Sequence, residues 1–395
     1  MALTLSGTNG VVGAGFTLDP SGASVTAGVG TFSSARVGAA VTISESGIEA
    51  SGIGITVANI NGGKISGRRN IIINGAMNVA QRGTSSTDSG YGSVDRFRVA
   101  FTGTDESPTQ SQVDVASGTT PYTEGFRKAL KVTNGNQTGG AGASDQLDIN
   151  CRIEGQDIAG SGWNYTSSSS KITLSFWVKS SVAQNFYGYV RSVSGTVRSH
   201  PYETGSLTAD TWTKITKTFS GDSNITINND NSVEFNFYLV PFFGTGLTAS
   251  GVSLTAWNTF DTTAILPDNT ATWYETDNAT LEITGVQLEV GSQATAFEHR
   301  SYGEELLLCQ RYYFKETASN NTYMFGYGNT PQSYGLAQLS QPNSFRASPT
   351  ITITGSANAS SVGASALSPF YSIAYCNTSN ASAPRLTGYE MSSEL

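Results

Sequence analysis

Charge is what this sequence is shortest of. Lys, Arg, Asp and Glu make up 13% of its 395 residues, about half the usual share, and the deficit is filled by Ser, Thr, Asn and 44 Gly. The formal balance is −8, with no basic stripe, which excludes a nucleic-acid partner because phosphate binding needs clustered Lys and Arg. Cysteine is scarce too. Cys151, Cys309 and Cys376 are far apart and without a CxxC pair, so neither a disulfide framework nor a zinc knuckle is expected, and each reads as a buried free thiol. With only His200 and His299, one chain cannot build a multi-histidine metal site. No apolar run reaches membrane-span length, and MALTLSGTNG lacks the cationic start and apolar core of a signal peptide. The expectation is a soluble chain made in a cytoplasm, with no membrane insertion. Triplets such as Asn164–Thr166 then carry no glycan. Missing as well are the GxSxG elbow, the GxxxxGK[ST] phosphate loop and the HExxH zinc pattern, so the reading is not an enzyme, with no cofactor and no metal.

What is present is β-strand pattern, and the predicted fold class is all-β. Residues 1–66 carry short Val/Ile alternations, such as Val41 with Ile43 and Ile53 with Ile55, broken every few residues by Gly, Ser or Asn. One copy offers too little apolar area for a core, so this slender segment is expected to be a β shaft shared between identical chains. From residue 67 the alternating runs lengthen: DRFRVAF, QLDINCRIE, KITLSFWVKS, NFYGYVRSV, WTKITKTF, SVEFNFYLVPF, ATWYE and ATLEITGVQLEV. With Gly/Ser/Asn/Asp separators and no helix between them, they predict an antiparallel jelly-roll sandwich over 67–298. Residues 299–315 hold a helical junction. Ser301 and Glu304 form a capping-box pattern, and Leu306, Leu307, Leu308 and Tyr312 offer an apolar surface. Residues 316–395 read as a small β tip, with strands at TYMFGYG, SYGLAQLS, SPTITITGS and PFYSIAYC.

Two stretches are specific enough to name a family. NIIINGAMNVAQRGTSSTDSGYGSVDRF (70–97) and ITGVQLEVGSQATAFEHRSYGEELLLCQRYY (283–313) resemble the central and distal parts of tail-fibre proteins of marine tailed bacteriophages, including those that infect cyanobacteria. SFRASPTITITG (344–355) resembles the segment that follows in the same proteins. The SFWVKS, WTKITKTF and ITGVQLEVG strands are similar, in that order, to those of carbohydrate-binding jelly rolls. The resemblance implies an intertwined homotrimer on the virion, assembled in the host cytoplasm, that binds an envelope glycan or protein receptor. Many such fibres begin with a long docking domain, whereas this chain passes from Met1 almost directly into the shaft. Attachment is therefore expected through the phage tail, an adaptor protein or the capsid.

Strand period two assigns faces. In NFYGYVRSV, Tyr187, Tyr189 and Arg191 share one face; in SVEFNFYLV, Glu234, Asn236 and Tyr238 do; in KITLSFWVKS, Trp177 stands opposite Phe176 and Val178. If these strands are neighbours, one sheet presents aromatics interleaved with Arg, Glu and Asn. That mixture suits a sugar, whose apolar C–H face lies on a ring while amides and charges take its hydroxyls. It suits a subunit interface better still, because a trimer must bury something and the chain offers few other aromatic patches. A second candidate set for receptor contact is the tip's Tyr323, Tyr327, Tyr334, Tyr371 and Tyr375. Asp148, Glu154 and Glu234 are the conceivable acid pairs of a polysaccharide depolymerase, the rival function, and DSNITINNDNS (222–232) is rich enough in oxygen ligands to consider Ca2+. A purely structural capsid or tail component is the third reading.

Overall fold

The computed structural model describes residues 34–37, 41–44, 47–50, 68–316, 322–327, 334–378 and 384–395. The chain forms two compact units, Met1–Val57 and Ala58–Leu395. In the first, β1 (Ser34–Val37), β2 (Val41–Ser44) and β3 (Gly47–Ala50) make an antiparallel meander. Most of the expected shaft, Ile53 and Ile55 included, lies outside the described residues.

The second unit carries β4 (Ser85–Ser86), β5 (Phe97–Thr102), β6 (Thr109–Asp114), α1 (Thr120–Thr123), β7 (Lys128–Thr133) and β8 (Gln146–Glu154). Next come α2 (Gly155–Ala159), β9 (Lys171–Ser180), β10 (Asn185–Ser192), β11 (Arg198–Ser206), β12 (Thr213–Ser220) and β13 (Val233–Phe243). Then follow β14 (Asn258–Thr259), α3 (Thr272–Glu275), β15 (Thr280–Val290) and α4 (Tyr302–Gln310). Strand accounts for 44% of residues and helix for 7%, so the chain is all-β.

Two six-stranded antiparallel sheets, β14-β11-β10-β13-β8-β5 and β12-β9-β15-β7-β6-β4, face each other as a sandwich. Alternation builds the layer between them: Phe235, Phe237 and Leu239 from one sheet, and Ile172, Leu174, Phe176 and Val178 from the other, are fully buried. The Phe176 and Phe237 rings meet across the layer with centroids 5.7 Å apart.

Three expectations are corrected here. ATWYE is not a strand: Thr272–Glu275 is the single turn α3, with Trp273 and Tyr274 both buried. Trp273 Nε1 donates to the Thr280 carbonyl and its backbone N–H to Gln184 Oε1, fixing the turn. Helical turns α1 and α2 also interrupt the strands. The polar run RSHPYETGS, with Pro201 at its centre, is strand β11. Its partner β14 reaches only Arg198 and Ser199, so Pro201 sits where no ladder donor is needed on that side.

The junction helix α4 starts with the expected capping box: Glu304 N–H donates to Ser301 Oγ and Ser301 N–H to Glu304 Oε2. Of the expected apolar set, Leu306, Leu308 and Tyr312 pack with Ile73, Val79 and Leu395, and Leu307 does not. Leu307 is 48% exposed, while Glu305, Cys309 and the following Tyr312 are buried. The Glu305 carboxylate accepts from the Asn74 N–H and pairs with Arg300, so a polar clasp seats the helix. Beyond it, β16 (Tyr313–Glu316), β17 (Thr322–Tyr323) and β20 (Thr350–Ala357) pair with β23 (Arg385–Ser392). A second sheet runs β18 (Phe325–Tyr327), β19 (Tyr334–Gln338), β22 (Tyr371–Thr378) and β21 (Ala359–Ser368). All three cysteines are free and buried.

Candidate functional site

Neighbouring strands β10, β13, β8 and β5 bring one straight row of residues onto the outer face of their sheet. Tyr189 is in register with Tyr238, Tyr238 with Asn150, and Asn150 with Arg98. The next row aligns Arg191 with Asn236 and Arg152. The Tyr189 and Tyr238 rings stack with centroids 4.2 Å apart and planes 8° from parallel. The segment after β13 folds over part of this face, and Phe260, Leu247 and Ile265 pack on the tyrosines. What remains open is a groove of about 320 Å³, lined among others by Arg98, Asp148, Tyr189, Arg191, Tyr238 and Phe260.

Its polar groups are held from several strands. Asn150 Nδ2 donates to Asp148 Oδ1 at 2.6 Å, while Asn150 Oδ1 is buried with no hydrogen-bond partner. The Arg191 guanidinium lies 4.9 Å from the Phe260 ring centroid and 5.6 Å from that of Tyr238. With the Asn236 amide turned so that its oxygen faces Arg191, that oxygen accepts from Nη2 at 3.2 Å. Arg191 Nε is buried without a partner. Burial pushes Asp148 up to about 6, against the pull of Asn150 and of Arg98, Arg152 and Arg191. Burial also raises the Tyr189 and Tyr238 phenols, so both hydroxyls stay protonated at neutral pH.

Of the seven face residues read from the sequence, the groove lining unites Tyr189, Arg191 and Tyr238, with Asn236 in the row behind and Tyr187 packed beside the tyrosine cluster. Two do not belong. Trp177 is on β9, which pairs with β12 and β15 in the other sheet; it is 7% exposed, packs near Trp212 and Phe297, and donates Nε1 to Glu124. Glu234 lies beyond the groove, where its Oε1 accepts from Ser194 Oγ and Asn228 Nδ2. Sequence reasoning passed over Arg98 and Asn150. The signal was available in DRFRVAF and QLDINCRIE, whose alternation turns Arg98, Asp148 and Asn150 away from Val99, Ile149 and Cys151.

The remaining candidates fall elsewhere. Glu154 is fully buried at the end of β8, bound by two Arg311 nitrogens and the Tyr312 hydroxyl. In 222–232, Asp222 and Asp230 accept from backbone N–H groups two residues on, so these carboxylates close turns. On the tip, Tyr371 and Tyr375 are each 41% exposed; the side chains of Tyr323, Tyr327 and Tyr334 lie outside the described residues. Among the described residues, no group of three or more His, Cys, Asp or Glu is placed to hold a metal ion, and no helix is long and apolar enough to cross a membrane.

No family model and no curated protein matches the chain. Solved structures similar to it include phage tail proteins and carbohydrate-binding modules. The enzymatically active domain of tailspike protein 4 from bacteriophage CBA120 is 10% identical with a TM-score of 0.29, the match covering 56% of this chain and 21% of that one. This chain thus spans about a fifth of the tailspike domain's length. The N-terminal cellulose-binding domain of Cellulomonas fimi β-1,4-glucanase C is 12% identical with a TM-score of 0.26, over 55% of this chain and 99% of that one. The tripod from the baseplate of bacteriophage Tuc2009 is 12% identical with a TM-score of 0.26, over 83% and 90%. At such scores the chemistry of the groove rests on its own residues.

Proposed function

We propose that this protein is a fibre-type virion component of a tailed bacteriophage that binds a host-surface saccharide in the groove on the outer face of β10-β13-β8-β5, without cleaving it. The observation that carries the reading is the row Tyr189, Tyr238, Asn150, Arg98, a stacked aromatic pair continued by an amide and a guanidinium. Rings supply the apolar surface for pyranose C–H groups, and Asp148 and the arginines supply directional partners for hydroxyls. The groove volume, about 320 Å³, falls within the range of small-ligand clefts. The likeness of 70–97 and 283–313 to phage fibre sequences supports the virion setting.

Binding without hydrolysis is supported by the placement of the carboxylates. Of Asp148, Glu154 and Glu234, only Asp148 lines the groove, and glycosidases of the usual kind need two acids across one bond. A reducing-end assay on envelope polysaccharide tests this, and released ends would make the protein a depolymerase. Homotrimer formation belongs to the same proposal. Its support is the lean first unit and an exposed apolar set on the tip, Leu336, Leu367, Phe370, Tyr371 and Tyr375, which suits a subunit or a receptor. Sedimentation of the full chain decides the oligomer.

The groove itself is tested by glycan-array binding of the full chain. Tyr238→Ala is expected to abolish saccharide binding and Trp177→Ala to leave it intact. Binding that survives in Tyr238→Ala with the fold retained would remove the site.

A further inference from the structure

The groove is electropositive in a chain that is not. Its lining holds two guanidiniums, Arg98 and Arg191, against one carboxylate, Asp148, whereas the whole sequence is at −8. Elsewhere Arg82, Arg96, Arg198, Arg300 and Arg311 each pair with an Asp or Glu. Among the described residues, Arg98 and Arg191 have no ion-pair partner within 4.0 Å. The side chain of Arg98 also makes no hydrogen bond among them, and Arg191 keeps a buried Nε with no acceptor. Asp148 is a single carboxylate for the two, and its Oδ1 accepts from Asn150 Nδ2 at 2.6 Å. A fold so poor in charge has therefore placed two unpaired cations at one aromatic groove. A buried guanidinium N–H such as Arg191 Nε, without an acceptor, is costly unless a ligand supplies one.

We infer that the groove selects an acidic saccharide, a pyranose bearing a carboxylate or sulfate, with the oxyanion received by Arg191 and Arg98 and the ring set beside Tyr238. This rests on the saccharide reading above and narrows it. The guanidinium presents a planar fork of N–H donors that matches an oxyanion, and its hydrogen bonds to charged acceptors are roughly twice as strong as neutral ones. A neutral hexose would satisfy the tyrosines and leave both cations unpaired. Discrimination against it follows from the same penalty.

The test uses the full chain and calorimetric titration with hexuronate oligosaccharides, their carboxyl-reduced counterparts, sulfated galactan oligomers and their desulfated counterparts. The expected result is that at least one acidic probe binds and its neutral counterpart binds on the order of tenfold or more weakly. Arg98→Gln and Arg191→Gln should each remove that difference, and added salt should weaken only the acidic probe. Arg98 has no side-chain partner to lose, so Arg98→Gln keeps the fold and decides the matter should Arg191→Gln be unstable. Neutral counterparts binding as tightly as acidic ones would overturn this inference and leave the saccharide site standing. Acidic probes binding both variants unchanged would overturn the assignment to these arginines. If no probe of either kind binds at millimolar concentration, this inference and the saccharide reading fall together.

Discussion

Arg311 grips Glu154 with two nitrogens, Nε on Oε1 at 2.9 Å and Nη2 on Oε2 at 2.8 Å, joining the residue after helix α4 to the last residue of sandwich strand β8. Tyr312 adds its hydroxyl to the same carboxylate at 2.5 Å, and Arg96 lies 3.4 Å from the Tyr312 ring centroid while pairing with Glu394. This cluster, together with the apolar packing of Leu306, Leu308 and Leu395, joins the tip strands to the sandwich. Removing one partner of a buried pair typically costs roughly 3–5 kcal/mol, so Glu154→Gln should lower the denaturation midpoint sharply. Chemical denaturation of the variant checks it.

The same carboxylate sets an acid limit. Burial works to raise Glu154, but hydrogen bonds from Arg311 and Tyr312 outweigh it and hold the group below its usual value of 4.5. A depressed acid contributes stability that is complete above its unfolded value and lost as pH falls through the folded one. Proteolysis near residue 311 should therefore accelerate below pH 4.5, and less so in Glu154→Gln.

Asp148 behaves in the opposite sense. Its folded value of about 6 stands above the ordinary 3.8, so its contribution is complete below pH 3.8 and lost as pH rises through 6. Asp148→Asn should therefore stabilise the protein at pH 7.5, by on the order of 2 kcal/mol, and leave it unchanged at pH 3.5. Thermal melts at the two pH values check this. Arg98 on β5, Arg152 on β8, Arg191 on β10 and Tyr238 on β13 are the groups that face Asp148, and its protonation leaves the cations unopposed. Affinity for an acidic saccharide should rise from pH 7.5 to pH 5.5 and become flat in Asp148→Asn.

Trp177 and Tyr238 separate stability from binding. Trp177 fills a pocket on the opposite sheet beside Phe126 and Phe297, so Trp177→Ala should cost about 3 kcal/mol of stability and no saccharide affinity. Affinity lost in a folded Trp177→Ala would refute the assignment of the groove.

Gly188 supports the tyrosine row from beneath. Tyr202 passes under β10 at this residue, and its hydroxyl donates to the Tyr238 carbonyl at 2.7 Å. A Cβ on residue 188 would collide with both that hydroxyl and that carbonyl. Gly188→Val should cost roughly 3 kcal/mol or abolish folding, as seen by expression and melting.

Sequence alone determined which way each long strand faces. Tyr189, Arg191 and Tyr238 point away from Val190 and Phe237, and Ser301 caps α4, because side-chain period and capping are set by residues a few positions apart. Tertiary structure alone decided which strands are neighbours. β8 and β5 complete the row begun by β10 and β13 while β9 is carried to the other sheet, so Arg98 and Asp148 join the groove and Trp177 leaves it. Strand pairing is a contest among contacts distant in the chain, and no local pattern in KITLSFWVKS records its outcome.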